Sequence, residues 1–125
     1  MQVRPEKNAW SAVEIMAHLR SCADIWGASI AEMLITDEPK IKDQSPGSWG
    51  RLAEYASLPF MESLHAFTFQ RKELLAALQK LNLEDWSRSA WVKNRKHTIY
   101  SQARRMAMHE QIHLQQFEEI SAKFK

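Results

Sequence analysis

Hydrophobic residues recur every three or four positions along residues 99–124, the spacing of one face of an amphipathic helix. Two steps of that stripe are filled by His109 and His113 instead of apolar residues. Side chains four positions apart project from the same face of a helix, one turn apart. The pattern therefore predicts a long C-terminal helix that turns two imidazoles toward the core. The apolar members of the stripe are Ile99, Ala103, Met106, Phe117, Ile120 and Phe124.

The same periodicity predicts two further long helices. The first follows Ser11, a plausible N-cap, with Glu14 three residues later in the capping-box pattern. Pro59 separates a short helix from the second long one, because proline disfavours helix at the residue before it. The predicted elements are a helix over 11–35, a loop over 36–48, a short helix over 49–58, a long helix over 60–81 and a polar, strand-free connection over 82–97.

Three long helices joined by loops favour an all-α, up-and-down bundle. Such helices occupy three of the four positions of a four-helix bundle, and the fourth position is not filled by an obvious segment. Either the short helix over residues 49–58 covers part of it or a second chain does. We therefore expect a homodimer.

The composition limits the classes of function that fit. A chain of 125 residues is expected to form a single domain over residues 1–125. The net charge of +2 is too small to indicate a nucleic-acid-binding protein, and no apolar run reaches membrane-spanning length. The one cysteine, Cys22, excludes an internal disulfide framework and is typical of a reducing compartment. The N-terminal residues do not form a signal peptide, and we expect a cytoplasmic protein.

The histidine pair on the last helix supports two interpretations. Two imidazoles at this spacing can bind one metal ion through their ring nitrogens, whereas two core histidines could each be satisfied by a polar neighbour. The pair favours the metal, provided that a third ligand exists. His18 is available on the first long helix, at the edge of its apolar stripe. Cys22, one turn later, could approach the ion as a fourth ligand, although a buried apolar thiol is the commoner role.

The segment His109-Glu110-Gln111-Ile112-His113 also matches the H-E-x-x-H pattern of zinc proteases. Those enzymes take their third ligand from well downstream, and only twelve residues follow His113. They also need a substrate cleft, often edged by a strand, and the sequence predicts no strand. We reject the protease but retain Glu110 as a candidate general base toward metal-bound water.

Three residues of the middle region each have two possible roles. Arg71 interrupts the apolar seam of the second long helix, where it is expected to pair with a carboxylate or, alternatively, to bind an anionic part of a substrate. Trp86 and Trp91 either cap an end of the bundle or line the mouth of a pocket. His65 and His97 lie off the apolar faces and are expected at the surface.

Three motifs in order resemble the DinB superfamily, which includes YfiT-like metal-dependent hydrolases. They are W-S-x-x-E-I-x-x-H-L over residues 10–19, F-x-x-x-R-x-x-L-L-x-x-L over residues 67–78 and H-E-x-x-H-L-x-Q over residues 109–116. The resemblance extends from about residue 5 to residue 120. The family normally has a long helix before the first motif, and this chain begins in the loop that would follow that helix. The sequence is then either short at its start or completes its packing in another way.

The resemblance implies a helical bundle that holds a divalent metal, most often zinc or nickel, through three histidines. By position these are His18, His109 and His113. It also implies an enzyme that activates water or a small thiol, as a hydrolase or a thiol S-transferase, because family members include transferases and isomerases that use small thiols. The alternative is a non-catalytic metal-binding or structural bundle that dimerises.

Three histidines leave coordination positions open, which is typical of catalytic zinc sites. Each ligand is expected to donate its second ring N–H to an acceptor, for which Glu14, Glu110 and Gln116 are candidates.

Overall fold

A computed structural model describes residues 10–123 of the chain. Position 124, the last in the predicted C-terminal stripe, lies outside the described residues. The elements are α1 (Ala12–Ile35), β1 (Lys40–Ile41), α2 (Pro46–Leu52), a 3-10 turn (Tyr55–Ser57), α3 (Phe60–Leu78), α4 (Leu83–Trp86), β2 (Ser89–Val92), β3 (Arg95–Thr98) and α5 (Ile99–Lys123).

The first long helix begins and ends where the sequence predicts. The Ser11 hydroxyl accepts a hydrogen bond from the Glu14 N–H at 3.2 Å, and the Glu14 carboxylate accepts one from the Ser11 N–H at 3.0 Å. This capping box satisfies two backbone donors that the first turn would otherwise leave unpaired. Helix α1 is the central element, because α2, α3 and α5 all pack on it.

The prediction of a short helix over residues 49–58 is wrong in both the start and the length of the helix. Ser45 caps α2 and Pro46 occupies its first turn, a position that suits proline because no N–H is needed there. Glu54 adopts the left-handed conformation with a φ of 57°, which interrupts the helix. A separate 3-10 turn follows at Tyr55–Ser57. The two short pieces lie against α1.

The two remaining long helices, α3 and α5, bury their apolar faces against α1. Helix α3 ends at Leu78, three residues earlier than predicted. One cluster of buried residues joins the C-terminal half of α1 to the sheet and the start of α5, and includes Ile30, Met33 and Ile99. A second cluster joins the N-terminal half of α1 to α3 and the end of α5, and is centred on Ile15, Met16 and Leu19. The site described below lies between these two apolar regions.

The prediction that residues 36–48 and 82–97 contain no strands is wrong. Strands β2 and β3 form an antiparallel hairpin, and β1 adds to β2 in parallel, giving a small three-stranded sheet. Lys93 and Asn94, the two residues between the hairpin strands, have φ angles of 50° and 61°. Two successive left-handed residues form the tight turn that matches the twist of paired strands. The hairpin leads directly into α5.

None of the helices among residues 10–123 is long and apolar enough to cross a membrane. The cytoplasmic location stays a prediction.

Candidate metal centre

Three imidazoles from two helices converge between α1 and α5. The Nε2 atom of His109 lies 3.1 Å from Nε2 of His18 and 3.0 Å from Nε2 of His113. The ring centroids of His18 and His113 are 4.9 Å apart, with the ring planes inclined at 69°. Two nitrogen ligands of one tetrahedral zinc ion lie about 3.3 Å apart, given bond lengths of about 2.05 Å. The separations of His109 from His18 and from His113 are therefore close to those required of two nitrogens that share an ion.

The hydrogen-bonding capacity of these rings favours a cation at the point of convergence. The Nδ1 atom of His113 donates to Oε1 of Gln116 at 2.5 Å, so the neutral His113 ring carries no proton on Nε2. Nε2 of His109 faces two other Nε2 atoms and can share at most one proton with one of them. At least one of the two short N···N contacts therefore cannot be a hydrogen bond, and those two nitrogens lack a partner unless a cation is present. A divalent metal accepts all three lone pairs, so this donor set fits one.

Burial lowers the pKa of two of the three histidines and so favours the neutral rings that metal binding requires. Desolvation, together with the neighbouring His113 and His109, lowers the pKa of His18 from 6.5 to about 4. Desolvation also lowers the pKa of His109, with a contribution from His113. His113 itself is only 8% exposed. Uncharged rings present lone pairs to a metal without first losing a proton.

Two tryptophans border the cluster of imidazoles. Trp10 meets the edge of His18 at a centroid distance of 5.1 Å and stacks parallel to His113 at 6.4 Å. Trp26 meets the edge of His109 at 4.9 Å. The indoles hold the rings in place and reduce their exposure to water. Neither tryptophan was predicted at the site from the sequence, although Trp26 lies two turns beyond His18 on the apolar stripe of α1.

The Cys22 sulfur contacts the cluster but does not lie on the lone-pair axis of a ring nitrogen. One ligand atom from each of His18, Cys22 and His109 lies within 4.8 Å of the other two. The Cys22 Sγ atom is 3.6 Å from Nε2 of His18 and 3.8 Å from Nδ1 of the same ring. A ligand on the Nε2 lone-pair axis would be much farther from Nδ1, so the sulfur lies beside the ring. Burial, together with the charge of nearby Glu110, raises the pKa of this thiol to about 12. The thiol is therefore protonated and buried.

Glu110 lies next to His109 but is engaged by another helix. Both of its carboxylate oxygens accept hydrogen bonds from the Arg71 guanidinium in a bidentate ion pair. The side chains of Arg71 and Glu110 are 21% and 23% exposed. The expected pairing of Arg71 with a carboxylate is thus found, and its partner is the candidate base.

A cavity of about 360 Å³ opens beside His18, between α1 and the α2 segment. Its wall is fixed by Tyr55, whose hydroxyl donates to Asp24 at 2.5 Å, and by Trp49, whose indole N–H donates to the same carboxylate at 2.9 Å. Gly50 permits the close approach of α2, since a Cβ there would lie 3.0 Å from the Cβ of Ser21. The cavity is lined, among others, by Trp10, Glu14, His18, Arg51, Glu54 and Tyr55.

The other residues considered from the sequence lie elsewhere. Trp86 packs against the core cluster near the sheet, and Trp91 lines a separate cavity with residues of β1 and the hairpin turn. Neither borders the cavity beside His18. His65 is exposed and His97 is partly exposed, both outside the cluster. Of the candidate acceptors for ligand N–H groups, Gln116 bonds His113, Glu14 caps α1 and Glu110 pairs with Arg71.

Comparisons with known proteins agree with the fold. The chain is similar to YfiT from Bacillus subtilis, described as a probable metal-dependent hydrolase with an unusual four-helix bundle topology. The two structures align with a TM-score of 0.84 and 15% sequence identity over 98% of this chain and 71% of YfiT. This likeness confirms the predicted helical-bundle fold. No curated protein sequence matches the chain. The sequence model described as the DinB superfamily matches residues 1–117, and the chain belongs to that superfamily.

Proposed function

We propose that the protein is a metal-dependent enzyme whose ion is bound by His18, His109 and His113. The single observation that carries this proposal is the convergence of three imidazoles, with Nε2 of His109 3.1 Å from that of His18 and 3.0 Å from that of His113, beside a cavity large enough for a small molecule. Three histidines suit zinc or nickel.

The reaction that we propose is hydrolysis or thiol S-transfer on a small-molecule substrate. A divalent metal in such a site acts as a Lewis acid that activates water or a thiol for attack. The chain's own residues prepare the site. Gln116 fixes the orientation and proton position of His113, and Trp10 and Trp26 limit the access of bulk water to the rings. The cavity beside His18 receives the substrate.

We also propose Glu110 as the general base. Its carboxylate is adjacent to His109 on the same helix, but both oxygens are bound by Arg71. The ion pair occupies one lone pair on each oxygen, so the proton would be accepted by a second lone pair while Arg71 stays bound. Arg71 then becomes a positioning residue that sets the orientation and availability of the base. Replacing Glu110 by Gln is expected to lower turnover while leaving metal content unchanged.

The experiment that tests the ligand set is metal analysis of the purified protein. The wild type is expected to carry close to one equivalent of zinc or nickel, and His18→Ala, His109→Ala and His113→Ala are each expected to lose it. His65→Ala and His97→Ala are matched controls, because these histidines lie outside the cluster and should leave metal content unchanged. Full metal occupancy in the His18 variant would remove that residue from the set.

A specific observation favours a second function, a bundle that binds metal without catalysing a reaction. Trp10 covers the rings of His18 and His113, and Arg71 occupies the carboxylate of the candidate base. A cobalt-substituted sample titrated with small thiols separates the two functions. A change in the visible absorption of the cobalt supports thiol binding at the metal, whereas an unchanged spectrum, together with no hydrolysis of model esters and amides, favours the non-catalytic bundle.

A further inference from the structure

The solvent-facing side of the three-stranded sheet places an exposed tryptophan between two lysines. Trp91 of β2 has Lys40 of β1 as its partner on one side and Lys96 of β3 on the other. Side chains of directly opposite residues project from the same face of a sheet, so these three form a row, which we call the sheet row. All three members are exposed, and Nζ of Lys96 lies 5.9 Å from the centre of the indole ring. The other face of the sheet packs on the core, where Ile41 and Ala90 are buried.

Trp91 borders a cavity and does not pack in the core. Its side chain is 43% exposed, whereas the adjacent Val92 packs against the buried cluster near the sheet. A cavity of about 330 Å³ lies beside the indole and is lined, among others, by Lys40, Lys93 and Asn94. This volume is within the range of pockets that bind small molecules. The indole therefore offers an aromatic surface to a ligand in this cavity.

Positive charge is concentrated at the sheet. Residues 37–43 and 88–97 together contain six basic and three acidic side chains, a net charge of +3, whereas the whole chain has a net charge of +2. The rest of the chain is therefore slightly negative. A local excess of one sign of charge attracts ligands of the opposite sign. The cavity at the sheet is thus suited to an anion.

The lysines around the cavity keep hydrogen-bond donors available. Nζ of Lys93 lies 2.8 Å from Asp43, and Nζ of Lys96 lies 3.3 Å from Glu38. Within residues 10–123, Lys40 forms no ion pair. An ammonium group has three N–H donors, so a lysine that contacts one carboxylate can still donate to a second oxygen. Three lysines against two carboxylates leave one positive charge uncompensated beside the indole.

We propose that this cavity binds a nucleotide, with the base stacked on Trp91 and the phosphate bound by Lys40 and Lys93. A nucleotide combines a planar ring with an anionic group, and the cavity offers a partner for each. An inorganic anion would leave the indole unused, and a neutral aromatic molecule would leave the lysines unused. Proteins that bind single strands stack successive bases on several aromatic side chains along a basic groove. The sheet row has one aromatic side chain, which favours a free nucleotide over a strand.

The proposed nucleotide site is separate from the metal centre. Trp91 does not line the cavity beside His18, and none of the three histidines lines the cavity at the sheet. The proposal therefore does not depend on the metal or on the reaction proposed above.

The experiment is a titration of the ¹⁵N-labelled full chain with 5′-AMP, followed by the backbone and indole N–H resonances. We expect saturable shifts at the hairpin and at the Trp91 indole, with a dissociation constant below about 1 mM. Trp91→Ala is expected to weaken binding by about tenfold or more, and Trp91→Phe, which keeps a ring, by less than about threefold. Lys40→Met is expected to weaken binding by up to about fivefold and to reduce its dependence on salt.

Matched variants and ligands separate a built site from general attraction. Phe69→Ala and Lys72→Met remove an exposed aromatic ring and an exposed lysine from α3, and both should leave binding unchanged. Adenosine lacks the phosphate and ribose 5-phosphate lacks the base, so each should bind about tenfold more weakly than 5′-AMP or worse. A single strand of eight thymidylates tests the alternative source of the same chemistry and should bind no more than about tenfold more tightly than 5′-AMP.

The outcomes divide clearly. Shifts at the hairpin that depend on Trp91 and Lys40 and require both base and phosphate support the proposal. It would be overturned by the absence of hairpin shifts up to about 10 mM 5′-AMP, by shifts confined to the surroundings of His18, or by equal affinity of the wild type and Trp91→Ala. Ribose 5-phosphate binding as tightly as 5′-AMP would show a simple anion site, and binding of the oligonucleotide alone would show a site for strands; either result also overturns it.

Discussion

The hydrogen bond between His113 and Gln116 offers the sharpest test of how the site holds a metal. Gln116→Leu removes the acceptor at 2.5 Å from Nδ1 of His113 while keeping a side chain of similar size. The imidazole then loses the partner that fixes its proton on Nδ1 and its lone pair on Nε2. We expect the metal to bind more weakly although all three histidines remain.

The size of the effect follows from the role of such supporting bonds. Loss of an outer-shell partner typically weakens metal binding about 10- to 100-fold. With metal in excess over the dissociation constants of both proteins, the stabilisation by metal falls by about 1.4 to 2.7 kcal/mol. For a domain of this size that corresponds to a melting temperature lower by about 4 to 11 °C. In chelator, Gln116→Leu should still lose about 1 to 3 kcal/mol, because the Nδ1–H of the buried His113 is left without an acceptor. The loss of metal binding is the additional difference between the two proteins that appears when metal is present.

The assay is competition for zinc against a chromophoric chelator, paired with thermal unfolding in metal and in chelator. Gln115→Leu is the matched control for zinc affinity, because Gln115 is exposed and adjacent yet contacts no histidine in the described part of the chain. Gln116→Glu keeps an acceptor and is expected to retain the wild-type affinity. An unchanged zinc affinity in Gln116→Leu, or an equal loss of stability with and without metal, would refute the reasoning.

Three further predictions concern stability. Burial lowers the pKa of His18 from 6.5 to about 4, so between pH 6.5 and pH 4 the unfolded chain binds a proton that the folded protein does not. The metal-free protein should therefore lose stability as the pH falls from 6.5 to 4. In urea titrations, His18→Gln should lose less stability over the same pH range. Tyr55→Phe, which deletes a bond to a carboxylate, should cost about 1 to 3 kcal/mol, whereas Tyr100→Phe at an exposed position should cost almost nothing in the same titrations. Arg71→Met should cost about 1 to 2 kcal/mol by leaving Glu110 unpaired, and the double variant Arg71→Met/Glu110→Met should recover most of that loss.

The parts of the fold that follow local rules were predictable from the sequence. The Ser11–Glu14 capping box places the start of α1, because the rule relates a hydroxyl to a carboxylate three residues away. The apolar period of α5 likewise gives its first residue and its inward face, including the direction of His109 and His113. In each instance the interacting groups lie within one or two helical turns of one another.

The hairpin was missed and the bounds of the short helix α2 were misplaced, because their signals are weak or depend on unusual backbone conformations. The hairpin turn is formed by Lys93 and Asn94 in the left-handed region, without the Asn-Gly or Asp-Gly pair that marks such turns. Its strands contain only four residues each, too few for a clear alternation. Glu54 interrupts the predicted short helix because its backbone is left-handed, and a glutamate in the sequence does not predict that conformation.

The surroundings of the histidines depend on contacts between distant segments, and there the sequence alone was least informative. His18 and His109 are 91 residues apart, and only the packing of α1 on α5 brings their nitrogens to 3.1 Å. The H-E-x-x-H pattern marks Glu110 as a base, yet it contains nothing about Arg71, which reaches the carboxylate from α3. Whether a glutamate beside a metal ligand accepts protons or orients its neighbours depends on such a partner. The Arg71–Glu110 pair therefore connects α3, which contributes none of the proposed ligands, to one of the two helices that carry them.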